Sequence, residues 1–443
     1  MDYYQKQLRL APVQAGVMLI LDSLTLSYGK ALQTLWRQNN SEYFEEYLGK
    51  IYDWRDSVGL VDMVQEMHSV VVEVAEDDRH TYIEELMMMT PYHFIRSYQN
   101  EKFIYSLLEI APENPGFIIR SRKNPERSLV SSMNMLSPVA TKKPFTRYIG
   151  EVFQTPDAEE LKKTLEASHV EFTDQDMIQG GDIKFCRTKP SQYTWNTTAY
   201  IQYPEGDRQY YLQRFQEHQE DGAWLEKVKS IKEEQIILGI GDLIQPIDHL
   251  ATRVLHQDRE HAILELLKTT SYHYWGSYDI SDQNSSTNVT RNFHDFDEFR
   301  SPAKVFTAAN TPHYVDHIVN LPSPTEAFVR NYGKRMHHIA YSVKDNAEGQ
   351  EFDSVDKVVD TLKAQGIDFL LKVIGSQEEG LKQIFSRTSK FSLLITEYVQ
   401  RFNGFQGFFT KKNVAFLTKA AGADEELMKK CGDERVGEGD LSD

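Results

Sequence analysis

One order of elements recurs four times along the chain: a short strand, an amphipathic helix, then further strands. HSVVVEV, DDRHTYIEELMMM and YHFIRSY fill residues 68–98, and RYIGEVFQT, PDAEELKKTLEAS and VEFT fill 147–174. A third copy runs from IDHLATRV at Ile247 through QDREHAILELLKTT to YHYWGSYDI. The fourth runs from HHIAYSV at His337 through FDSVDKVVDTLKAQG to FSLLITEYVQ. The copies share order and aligned strand starts more than residues, and the pattern predicts a β-α-β-β-β unit repeated four times. The fourth helix is the clearest: Val355, Val358, Val359 and Leu362 form one apolar stripe, Asp356, Lys357, Asp360 and Lys363 the wet face, and Gly366 a stop. A helix with one apolar stripe has to lie on a sheet, so the fold class is α+β rather than a helical bundle.

A chain of 443 residues can bury its own cores, and two cysteines, Cys186 and Cys431, make no disulfide framework. That usage favours a reducing compartment. The apolar patch AGVMLILDSL is broken by Asp22 and leads into YGKALQTLW rather than a small-residue cleavage site. No apolar run reaches the roughly 18 residues of a membrane span. The expectation is a cytoplasmic protein with no membrane partner, in which the sequons at Asn39, Asn284 and Asn288 are chance occurrences. A formal charge of −17, from 66 acidic and 49 basic residues without a basic stripe, argues against nucleic acid.

Strand alternation in PIDHLATRV sets His249 on one face with Ile247 and Ala251, and Asp248 on the other. In MHHIAYSV it separates the two histidines: His338 goes with Met336 and Ala340, His337 with Ile339, Tyr341 and Val343. One of the pair is therefore expected in a cavity, and alternation alone does not choose which. Glu397 lies in LLITEYVQR, an apolar strand where a lone carboxylate is costly to bury, and a cation would explain it. Two neutral imidazoles and one carboxylate make one face of an octahedron and leave three positions open, as an oxygen-activating non-haem Fe(II) centre requires. Zn(II) and Mn(II) suit the same donors. A structural His249–carboxylate pair and a Glu397–Arg401 ion pair are the ordinary alternatives, and both stay open at this stage.

The stretches PIDHLATRV, HHIAYSV, QIFSR with LLITEYVQR, and GFFTKKNVAFL resemble the 4-hydroxyphenylpyruvate dioxygenase family, including its hydroxymandelate synthase-like relatives, within the vicinal oxygen chelate superfamily. The resemblance is strongest over 245–422 and faint in the first half. It implies four modules paired into two open-barrel domains. Domain limits follow: a helical N-terminal extension at 1–60, a non-metal domain at 61–205, a connector at 206–244, the catalytic metal-binding domain at 245–422 and an acidic tail at 423–443. It also implies that His249, His338 and Glu397 are the Fe(II) ligands and catalytic centre, with His337 standing where the family usually has glutamine. His337 is implied as a substrate-pocket residue or one behind the metal ligands, Asn310, Gln383, Phe385, Phe409, Asn413 and Val414 match substrate-region positions, and a homodimer is a family expectation.

Val414 replaces a pocket phenylalanine usual in homogentisate-forming members, and Ala308 replaces a proline. Together with His337 these departures leave the product open between homogentisate-type and benzylic hydroxylation. The activity implied is oxidative decarboxylation and oxygenation of an aryl 2-oxo acid, 4-hydroxyphenylpyruvate or a close analogue, with dioxygen as co-substrate. The alternatives are an iron oxygenase for a different 2-oxo acid and a non-catalytic small-ligand binding protein of the same fold.

Overall fold

The computed structural model describes residues 42–124, 128–178, 181–293, 301–312, 324–347, 353–370, 372–405 and 407–422. The acidic tail, Cys431, Asn39 and most of the N-terminal extension lie outside the described residues, as does 294–300.

Four modules are present in the expected order. The first comprises β1 (Met67–Val74), a helix (Glu76–Met89), β2 (His93–Gln99), β3 (Phe103–Glu109) and β4 (Gly116–Arg122). The second is β5 (Arg147–Gln154), a helix (Ala158–Ala167), β6 (Phe172–Ile178), β7 (Lys184–Thr188) and β8 (Thr197–Gln202). After β9 (Gln216–His218) and a helix at Gly222–Ile237 comes the third: β10 (Ile244–Arg253), a helix (Arg259–Thr269), β11 (Tyr272–Ile280), β12 (Ser285–Asn292) and β13 (Ala303–Ala309). The fourth contains β14 (Arg335–Val343), a helix (Ser354–Ala364), β15 (Ile374–Ser376), β16 (Leu381–Phe385) and β17 (Ile395–Arg401). In every module the first strand pairs in parallel with the last, and the first strands of modules pair antiparallel two by two, β1 with β5 and β10 with β14.

Two sheets result, ordered β6-β7-β8-β5-β1-β4-β3-β2-β9 and β11-β12-β13-β10-β14-β17-β16-β15. The second curls into a half-barrel. The first is neither closed nor strongly curled, so the expected pair of open barrels reduces to one barrel-like sheet. Its site-equivalent face is occupied instead: Tyr210, Tyr211 and Leu212, from the connector, pack there with Val71, Ile149 and Ala199 in one buried cluster.

The opposite faces of both sheets share a single apolar core. Val70, Val72 and Tyr148 of the first sheet and Leu250, Met336 and Ile339 of the second belong to it, as do Val355, Val358, Val359 and Leu362 from the stripe anticipated in the fourth helix. Gly366 ends that helix's trailing turn at φ 84°, a conformation that glycine adopts without a Cβ penalty. Two tyrosine hydroxyls cross between the halves, Tyr398 to Met89 O and Tyr200 to Thr269 O, both at 2.6 Å.

The leading helix of each half docks on the other half. The helix at 42–58 precedes the first module but packs on the third, with Tyr43 Oη 3.1 Å from His261 Nδ1 and Tyr52 Oη accepting from Tyr274 N at 2.9 Å. The helix Gly222–Ile237 precedes the third module but packs on the first. There Trp224 stacks on His80 with 4.0 Å between ring centroids, and Lys232 donates to Met87 O and Thr90 O at 3.0 and 2.8 Å, capping the helix Glu76–Met89.

Candidate metal centre

His249 on β10, His338 on β14 and Glu397 on β17 are brought together because these are neighbouring strands of the curled sheet. His249 Nε2 lies 3.2 Å from His338 Nε2 and 3.0 Å from Glu397 Oε2, and His338 Nε2 lies 3.2 Å from the same oxygen. All three residues are buried. An equilateral triangle with that edge is one face of an octahedron whose centre-to-ligand distance is about 2.1–2.3 Å, close to the roughly 2.0–2.2 Å of nitrogen and oxygen ligands on a first-row divalent ion.

The hydrogen bonds behind the triangle decide what it contains. His249 Nδ1 is 2.7 Å from Asp248 Oδ1. An ionised carboxylate only accepts, so the ring proton is on Nδ1 and the neutral imidazole turns a lone pair inward. Asp248 is fixed by Arg401, whose Nη2 donates to Oδ1 at 3.1 Å, and by Ser342 Oγ at 3.0 Å. Burial alone would raise the Asp248 carboxyl, but the Arg401 charge and the His249 hydrogen bond outweigh it and hold it below the usual carboxylate range. Arg401, considered above as a partner for Glu397, thus neutralises Asp248 instead. The second oxygen of Glu397 accepts from Gln383 Nε2 at 3.1 Å.

Three acceptors converge on one point, which is unfavourable unless a positive charge sits among them. In the metal-free protein a proton supplies it. Burial would depress His249, yet Glu397 and Asp248 overcome that and raise it to about 9. His338 is pushed well below the ordinary value by burial and then by His249 and Arg253, while burial raises Glu397 against the pull of His249. The donor set, its separation and its burial fit a divalent ion, Fe(II) included.

Alternation does not hold at the double histidine. Ala251 pairs with His338 but Thr252 pairs with Met336, so His337 is the extra residue of a β-bulge. The bulge turns it toward the side that His338 faces: both rings line one cavity and their Nδ1 atoms are 2.8 Å apart. His337 is only 2% exposed and sits edge-on against Phe328 at 4.9 Å and Phe385 at 5.9 Å.

The same cavity is lined by Gln383, Phe385, Phe409 and Val414, and its volume is about 40 Å³. Phe385 lies 4.8 Å from the His338 ring and Phe409 meets His249 edge-on at 5.1 Å. The helix at 411–422 covers the cavity through Val414, Leu417 and Thr418. Asn413 is buried but absent from the lining; its Nδ2 reaches Leu381 O at 3.4 Å and ties that helix to β16. Asn310 is also elsewhere. Val305 and Thr307 of β13 face the metal centre, whereas Asn310, three residues beyond Thr307, lines a different cavity and donates to Asp279 Oδ1 at 2.7 Å.

Arg253, Thr287 and Thr307 also line the metal cavity and were not singled out from sequence. For Arg253 a signal existed, because it lies four residues after His249 on the same strand and so on the same face. Asp248 was assigned the opposite face from His249, but the register shifts between Ile247 and His249, so alternation fails there and the Asp248 carboxylate meets Nδ1.

No family model and no curated protein matches the sequence. Among solved structures the chain is similar in fold to a mutant of 4-hydroxymandelate synthase from Streptomyces coelicolor, with a TM-score of 0.55 at 14% identity over 82% of this chain and 99% of that one. It is also similar to a xylose isomerase-like TIM barrel/4-hydroxyphenylpyruvate dioxygenase fusion protein, with a TM-score of 0.51 at 10% identity over 82% of this chain and 53% of that one, about half its length. At these identities the likeness is one of fold.

Proposed function

We propose that the protein is an Fe(II)-dependent oxygenase that couples dioxygen to the oxidative decarboxylation of a 2-oxo acid. The observation that supports this most is the triangle formed by His249, His338 and Glu397, backed by Asp248 and Gln383, with one side left to a cavity. His249, His338 and Glu397 would hold the ion, and their remaining side would be left to a 2-oxo acid and a small co-substrate in the adjoining cavity. When bound, the iron would supply the redox chemistry. The chain supplies the rest: Asp248 keeps the His249 proton off the coordinating nitrogen, Gln383 orients the carboxylate, and Phe385 and Phe409 keep water from the centre.

Within that reading an aryl 2-oxo acid such as 4-hydroxyphenylpyruvate suits the rings of Phe385 and Phe409, with benzylic or ring hydroxylation as the possible outcomes at Val414. The cavity volume favours a second reading. About 40 Å³ is well below the roughly 300–1,000 Å³ of a drug-sized ligand site, so a compact aliphatic keto acid enters with less displacement of Phe409 and the 411–422 helix. Anaerobic Fe(II) reconstitution, followed by oxygen uptake and product mass spectrometry over a panel of aryl and aliphatic 2-oxo acids, separates the two. Oxygen-dependent loss of carbon dioxide with at least one keto acid is expected. Tight ligand binding with no oxygen consumption by the iron-loaded protein would instead identify a binding protein of the same fold.

A further inference from the structure

A cavity of about 590 Å³ lies between the two halves, on the far side of β10 and β13 from the metal centre. Arg253, Val305 and Thr307 line the metal cavity, and their strand neighbours Thr252, Lys304 and Phe306 line this one. Its volume falls in the roughly 300–1,000 Å³ of small-molecule sites, where the metal cavity's does not. One wall is aromatic. Tyr193 of the first half stacks on His261 of the second at 5.1 Å between ring centroids, and Tyr43 meets His261 edge-on at 5.3 Å. Beside that wall is Asn196, which is 7% exposed and lines the cavity, and whose Oδ1 has no hydrogen-bond partner among the described residues. A buried amide oxygen is costly to leave unpaired. The charges on the lining cancel: Glu151, Glu171 and Glu265 face Lys189, Lys268 and Lys304. Each lysine is already engaged, Lys189 with Glu171 at 2.5 Å, Lys304 with Glu151 and Lys268 with Ser168 O.

We propose that this cavity is a second ligand site and that it takes an uncharged purine nucleoside, with the base on the Tyr43, Tyr193 and His261 wall and its edge on the Asn196 amide. Tyrosine and histidine rings hold unpaired bases by stacking. A side-chain amide sets an acceptor beside N–H donors, and the amino group and adjacent ring nitrogen of adenine complete that pair. Thr188, Thr198 and Thr252 line the same space and offer hydroxyls to a ribose. A phosphate finds no unengaged lysine on this lining, which selects the nucleoside over the nucleotide. The site does not depend on the metal reading above.

The experiment is calorimetric titration of the full-length protein with adenosine and with its monophosphate. Adenosine is expected to bind once per chain, and the monophosphate about 10-fold more weakly. Asn196→Ala should weaken adenosine binding about 10-fold or more, the scale of one bidentate amide–base pair, with the fold checked by circular dichroism. His261→Leu removes a ring of the wall from a different element and should cost about 10-fold through lost stacking, and it decides the matter if Asn196→Ala does not fold. His249→Ala should bind adenosine as tightly as wild type, which separates this cavity from the metal centre. Absence of adenosine binding up to millimolar concentration overturns the proposal, as does a monophosphate that binds as tightly as adenosine. Unchanged affinity in folded Asn196→Ala or in His261→Leu overturns it too, and loss of binding in His249→Ala places the ligand at the metal instead.

Discussion

At the strand positions that correspond to His249, His338 and Glu397, the first half of the molecule has Ser69, Gly150 and Ala199. The correspondence comes from register. β5 and β14 each carry a bulge in the same place, Ile149 opposite the step from Val71 to Val72 and His337 opposite the step from Ala251 to Thr252, and both halves carry a second irregularity two residues before Ser69 or His249. The parallel pairings β5 to β8 and β14 to β17 then align Ala199 with Glu397. Gly150 accepts no substitute, since a Cβ there would lie 1.8 Å from Thr197 O with φ at 152°. Where Gln383 braces Glu397, the first half has Phe185, stacked 4.1 Å from Tyr211. One backbone plan thus supports a polar centre that needs a cation and an aromatic plug that excludes one. The difference lies in side chains, while the bulge that aims the double histidine is inherited by both halves.

The sharpest way to break the comparison is to exchange its members. His249→Ala, His338→Ala or Glu397→Ala should abolish oxygen-coupled decarboxylation and reduce metal affinity by more than the ~100-fold reached by outer-shell changes, measured by iron titration, with the fold retained by circular dichroism. The mirror change Ala199→Glu puts an unpaired carboxylate into the plugged side and should cost about 3–5 kcal/mol in denaturant unfolding. If it costs nothing, the plug is looser than described. Tyr211→Ala should likewise cost about 3–5 kcal/mol and leave iron affinity unchanged, which separates the stability role of one half from the chemistry of the other.

Smaller effects sharpen the picture. Asp248→Asn should weaken metal binding about 10–100-fold without removing a ligand. The proton on His249 must leave before a metal binds, so apparent affinity should fall by about tenfold per unit as pH drops below about 9, and calorimetric titration at several pH values would show a flat profile if that proton is absent. Tyr200→Phe and Tyr398→Phe remove equivalent cross-half hydrogen bonds at 2.6 Å and should cost a similar ~1 kcal/mol each. A large asymmetry would mean that the pseudo-symmetry fails at the central core.

The repeat was legible because period-2 and period-3.6 apolar patterns survive when residue identity does not. Glu397 was legible because a carboxylate inside ITEYVQR has no cheap explanation. The face given to His337 by alternation was wrong for a physical reason: a bulge breaks strict alternation, and nothing in MHHIAYSV announces one. Asn310 lies in a different cavity from the triad because it follows the end of β13, three residues past Thr307, and an odd step along an extended chain moves a side chain to the opposite face. The helix exchange was invisible, because apolar stripes at 42–58 and 222–237 say that a sheet or helix must be met and not whose it is.

That exchange has a consequence in time. Arg55 donates to Tyr272 O, 217 positions further along the chain, and Tyr52 meets Tyr274 at a comparable remove. At about 5–20 residues per second of synthesis, the helix at 42–58 emerges from the ribosome roughly 10–40 s before the surface it covers exists. The nascent first half therefore waits with an unpartnered amphipathic helix, and chaperone binding during translation should concentrate on that segment until the third module has been made.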